Sequence, residues 1–138
     1  MTVIILLLLT AVLWGSSPII EKIGLGRVDP LTAVSIRSFA ITVILIIVLG
    51  FTGRIKEVFT ADIKSVGIFA LSGFLAGLLG MWTYFAALKL GATSKVVPIA
   101  ATYPLVTAVL SIIILKEGVT VLRIAGTVLI IVGIWLVR

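Results

Sequence analysis

Residues 2–23 read TVIILLLLTAVLWGSSPIIEKI, an apolar run with no charge before Glu21. A helix rises about 1.5 Å per residue, so about 20 such residues cross the roughly 30 Å hydrocarbon core of a bilayer. The run has no basic leader and is too long for the apolar core of a signal peptide, so it is expected to stay in place as a helix.

Four further segments meet the same length: residues 30–52, opened by Pro30 after Asp29; residues 65–88; residues 94–115; and residues 119–137, with Arg123 one turn inside. The connections are short. The longest polar stretch, Gly53 to Lys64, carries Arg54, Lys56, Glu57, Asp62 and Lys64 and is too brief for a domain. Residues 1–138 therefore read as a single transmembrane domain, an all-α integral membrane protein with five transmembrane helices at 2–23, 30–52, 65–88, 94–115 and 119–137. A multi-pass place in the cell membrane follows, with the lipid bilayer as its first partner.

Composition agrees with that reading. The chain is 62% hydrophobic and 12% charged, with a mean hydropathy of +1.41. A soluble domain this small could not hide so much apolar surface in one core, whereas a bilayer accepts it on every outward face. The formal charge of +6 comes from 11 Lys and Arg scattered singly between apolar runs. They read as headgroup anchors, and no nucleic-acid partner is expected, because such a footprint clusters on one soluble face. With no cysteine and no histidine, disulfides, thiolate chemistry, imidazole bases and the usual zinc sets are removed. No catalytic residue, metal or cofactor is predicted.

Polar residues recur on particular helix faces. Thr10, Trp14, Ser17 and Glu21 share a face of the first helix, and Tyr103, Thr107 and Ser111 share one on the fourth. Both stripes admit two readings: hydrogen bonding between helices, or a wetted solute pathway. Trp14 and Tyr103 lie too deep for an interfacial belt, and each has a polar tip that wants a partner. Pro18 cannot donate to the Trp14 carbonyl, so it bends its helix and frees that acceptor. Pro98 and Pro104 do the same for the carbonyls of Ser94 and Ala100. Gly73, Gly77 and Gly80 lie on one face of the third helix with Tyr84, and Gly126 and Gly133 stand seven residues apart on the fifth; both sets suit close helix packing.

Arg37 sits about 10 Å inside the second helix, where a guanidinium costs about 1 to 3 kcal/mol unless it is satisfied. Snorkelling to headgroups, pairing with Glu21 or Asp29, and binding an anionic solute group all remain open. No Asp or Glu lies near the centre of a helix, and Glu21 and Glu117 read as solvated anchors at helix ends.

Residues 84–99, YFAALKLGATSKVVPI, lead to Tyr103-Pro104-Leu105, Lys116-Glu117 and the Gly126 to Gly133 segment. With Trp14-Gly15-Ser16, Pro18, Lys22 and Arg37 in the front half, this pattern closely resembles the EamA domain of the drug/metabolite transporter superfamily over nearly the whole chain. Most members carry two such domains as a ten-helix inverted repeat around a central cavity. The resemblance therefore implies that this chain is half of such a transporter, like the single-domain five-helix class, and that a partner or second copy supplies the rest. It implies a cavity lined from the first, third and fourth helices, which makes Trp14, Ser17, Tyr84 and Tyr103 lining candidates, with Arg37 as a further solute-binding candidate. It also implies alternating-access transport of small metabolites, amino-acid-like or related. Four-helix multidrug exporters of the superfamily use a membrane-embedded Glu in the first helix, and Thr10 and Trp14 occupy that region here.

The Lys and Arg balance bears on how two copies would meet. Arg54, Lys56, Lys64, Lys116 and Arg123 fall on the side of the N-terminus, and Lys22, Arg27, Lys89, Lys95 and Arg138 on the other, with Arg37 inside the membrane. This tie gives no strong orientation, so dual topology and an antiparallel homodimer are expected. The rival expectations are a non-transporting scaffold or a subunit of a heteromeric transporter. An intramembrane enzyme would lack a base near Ser17.

Overall fold

The computed structural model describes residues 2–118 and 120–137. The described residues are helical with no strand, in two compact units, Met1–Lys89 and Leu90–Arg138.

In the first unit, α1 (Thr2–Leu25) and α2 (Pro30–Phe51) are 24 and 22 residues long, enough to cross a bilayer. The turn between them is set by Asp29. Its Oδ1 accepts from Leu31 N and Thr32 N at 3.0 Å each, and its Oδ2 accepts from the Thr32 hydroxyl. Pro30, with no amide hydrogen to satisfy, fills the first helical turn. After α2 the chain turns at Gly53, whose φ of +69° is left-handed and suits glycine. The polar stretch that follows is not all loop: a short helix, α3 (Ile55–Thr60), forms there behind the Arg54–Glu57 pair at 2.8 Å.

The third span, Ile63–Leu90, is continuous but not uniform. It begins as α4 (Ile63–Ser72), capped by Asp62, which accepts from Ser65 N at 2.9 Å. It widens into a π-helical segment at Gly73–Gly80 and finishes as α5 (Met81–Leu90). A π-helix bonds each amide five residues back. The spacing that would align Gly73, Gly77 and Gly80 on an α-helical face is therefore altered. A Cβ at Gly80 would stand 3.1 Å from the Leu75 carbonyl oxygen, and among the described residues nothing beyond the adjoining helix backbone lies within 4 Å of one at Gly73 or Gly77.

Packing is concentrated at one end of this unit. Among the described residues of this unit, Pro18 and Leu25 of α1, Val34 of α2, and Phe85 and Leu88 of α5 are buried, with Leu88 wholly covered. The remaining apolar surface of α1, α2 and α4 is open, as suits helices whose solvent is hydrocarbon.

In the second unit, the fourth span, Thr93–Leu115, is broken in the middle. α6 (Thr93–Ala100), with Pro98 inside it, stops at Ala101, and α7 (Tyr103–Leu115) restarts with Pro104 in its first turn. Pro104 thus opens a helix rather than bending one, and the Thr102 hydroxyl closes the break on Ile99 O at 2.8 Å. The last helix, α8 (Val121–Val137), is 17 residues long, at the short end of the spanning range. The expected start at Val119 lies outside the described residues, as does Arg138 of the charge balance. Gly126 and Gly133 present open faces with nothing within 4 Å.

Candidate functional site

Two of the residues singled out from sequence, Ser17 and Arg37, meet on Glu21 in the first unit. Ser17 lies one turn before Glu21 on α1, and its hydroxyl donates to Glu21 Oε1 at 2.8 Å. Arg37 comes across from α2 and places Nε 4.0 Å from the same oxygen. Tyr84 comes from α5 and stands within electrostatic reach of the Glu21 carboxylate. On the same three helices Pro18, Leu25, Val34, Phe85 and Leu88 are buried. Of the three fates open to Arg37, pairing with Glu21 is the one observed.

Glu21 is therefore not the solvated anchor its helix-end position suggested, since its side chain is 13% exposed. The only sequence signal was its place on the Thr10, Trp14, Ser17 stripe. Next to it, Lys22 donates from Nζ to the Leu88 and Lys89 carbonyls, and Lys89 Nζ donates to Val28 O at 2.8 Å. These ammonium groups satisfy carbonyls at the end of α5 and in the α1–α2 turn, lashing the elements that carry the cluster.

The Thr and Ser hydroxyls of the stripes donate to backbone carbonyls of their own helices, with one exception. Thr10 donates to Leu6 O at 2.9 Å, Thr107 to Tyr103 O at 3.2 Å and Ser111 to Ala108 O at 3.1 Å. Each hydroxyl is satisfied on the preceding turn of its own helix, so it needs neither a neighbouring helix nor water. Ser17 is the exception: it donates to the Glu21 carboxylate, so a potential base does stand beside it, contrary to the expectation from sequence.

Trp14 and Tyr103 do not join a cluster in their own units. Trp14 is 66% exposed and Tyr103, in the second unit, 56% exposed. The second unit has a cavity of its own, about 290 Å³, between α7 and α8. Leu105, Ile112, Ile124 and Ile131 form its apolar walls, with Ser111 and Thr127 as hydroxyls and Glu117 at its edge. Among the described residues no three acidic or imidazole side chains gather as a metal site would require.

Outside the membrane spans the charged groups are held by local bonds. The Thr32 hydroxyl and amide hold the Asp29 carboxyl below the usual carboxylate range, the Ser65 hydroxyl and amide do so for Asp62, and Arg54 does so for Glu57.

The sequence profile of the EamA-like transporter family matches residues 1–138. An uncharacterized protein of Methanocaldococcus jannaschii is 34% identical over 133 residues, which is 96% of this chain and 93% of that protein. No solved structure matches.

Proposed function

We propose that this chain, which belongs to the EamA-like transporter family, carries small metabolites across the bilayer by alternating access, working as an antiparallel homodimer. Members of the family are transporters rather than enzymes, and the apolar helices make this a multi-pass membrane protein. The observation that carries the reading further is that Ser17 of α1 and Arg37 of α2 meet on Glu21, with Tyr84 of α5 in electrostatic reach of the same carboxylate. Keeping a charged pair in a membrane helix bundle is costly, and such groups mark solute pathways more often than simple packing does.

In this reading Trp14 and Tyr103 line the path, their exposure within the chain being what a cavity completed by a second copy would use. Pro18, Pro98 and Pro104 shape the helices, and the break at Ala101 and Thr102 gives the fourth span a flexing point. The open positions Gly73 and Gly77 of the third span and Gly126 and Gly133 of α8 are the close-contact surfaces for pairing. The even split of Lys and Arg supports insertion in both orientations, and two opposed copies would form the inverted repeat.

A thermal-shift screen of the purified protein against amino acids, nucleosides and amines tests the binding step, because a ligand that prefers the folded state raises its stability. A solute should raise the melting temperature. A scaffold would respond to none. Orientation is tested by a single cysteine introduced in the Gly53 to Lys64 loop of this cysteine-free chain. An impermeant reagent should label it from both sides of the membrane, and labelling from one side only would end the antiparallel assignment.

A further inference from the structure

The two oxygens of Glu21 are not used alike. Oε1 accepts the Ser17 hydroxyl and faces Arg37, whereas Oε2 has no hydrogen bond to any described residue. No buried side-chain oxygen is left without a partner among the described residues, so Oε2 is an accessible acceptor. Arg37 does not compete for it. A closed guanidinium–carboxylate contact has N···O distances of about 2.7 to 2.9 Å, and the 4.0 Å found here gives charge balance without a hydrogen bond. The neighbouring guanidinium thus balances the carboxylate's charge while leaving its acceptor capacity unspent, and a carboxylate offers about four lone-pair positions.

We propose that Glu21 determines specificity in the solute site by taking a protonated amine, an ammonium whose N–H groups donate to Oε2 while Arg37 balances the charge. The proposal rests on the transporter reading and adds the chemical class of the solute. A quaternary ammonium has no N–H donor and would gain only the longer-range attraction. A carboxylate solute would meet the Glu21 charge directly.

The test is a thermal-shift titration of the protein in lipid nanodiscs with n-butylammonium, tetramethylammonium and butyrate, together with a set of neutral solutes. n-Butylammonium should bind more tightly than the other two ions. Its affinity should fall about tenfold or more in Glu21→Gln, the size of a lost charge-assisted hydrogen bond. Glu21→Asp, which keeps the charge on a shorter stem, should preserve the order of the three ions, so that loss in the Gln variant is not mistaken for misfolding. Equal n-butylammonium affinity in wild type and Glu21→Gln, or a preference for butyrate, overturns the proposal. If neutral or anionic solutes stabilise the protein while amines show no dependence on Glu21, the amine assignment fails and the transporter reading stands. If no solute of any charge binds, both fail.

Discussion

Replacing Arg37 separates a charge-balancing role from a hydrogen-bonding one. At 4.0 Å and an effective dielectric of about 20, the attraction between Arg37 and Glu21 is about 4 kcal/mol before costs. The Arg37 side chain is 42% exposed, so screening and the entropy of holding it bring the pair toward the range of about 0.2 to 1 kcal/mol measured for surface pairs. Glu21 is the more buried partner, and leaving it without a counter-charge adds a penalty of order 1 kcal/mol. Arg37→Met is therefore expected to cost about 1 to 2 kcal/mol. Arg37→Lys should cost less than about 0.5 kcal/mol, because no bidentate contact exists for a lysine to lose. Unfolding by SDS in mixed micelles, followed by far-UV circular dichroism, reads both. The double variant Arg37→Met with Glu21→Gln should recover part of the loss, giving a coupling energy for the pair. A Lys variant as damaged as the Met variant would mean that the guanidinium fork is in use. A harmless Met variant with zero coupling would mean that the pair contributes nothing.

Leu88→Ala, at a wholly buried position of α5, should cost about 2 kcal/mol in the same assay, at the low end of core truncations because the unfolded reference already sits in lipid. Ile20→Ala, 71% exposed on α1, should cost less than about 0.5 kcal/mol. Trp14→Ala and Tyr103→Ala should insert and purify normally but lose ligand binding or flux, and wild-type flux in both would remove them from the path. Asp29 and Asp62 have lowered folded pKa values, so the folded state binds fewer protons than the unfolded one. Their contribution is complete above the ordinary carboxylate pKa of about 3.9 and is lost as pH falls through the lowered folded values. An acid titration of helicity should show that loss, with a shallower slope in Asp62→Asn.

The spans were legible because crossing a bilayer is a matter of length and apolar composition, both written in one dimension. Asp29-Pro30 marked the start of α2 for the same reason, since a cap acts on its own next turn. What escaped the sequence depends on neighbours in space or on small backbone choices. Glu21 looked like a helix-end anchor because nothing local tells that Arg37 and Tyr84 come to it across two other helices. The hydroxyl stripes invited a choice between glue and pathway, yet a hydroxyl of Thr10 or Thr107 can turn back to its own helix from any face. Pro104 announced a disturbance but not its form, since proline suits a first helical turn as well as a kink. Gly73, Gly77 and Gly80 are spaced as an α-helical face, and the wider π-helical turn redistributes them.

The most direct test of the account is solute flux by this chain alone. Proteoliposomes made with the purified protein should show saturable uptake of a radiolabelled small metabolite that the thermal-shift screen identifies, with a rate that falls in Trp14→Ala and Tyr103→Ala. Uptake no faster than in protein-free liposomes, from protein that is folded, inserted and shown to bind the same solute, would contradict transport and leave a solute-binding membrane subunit.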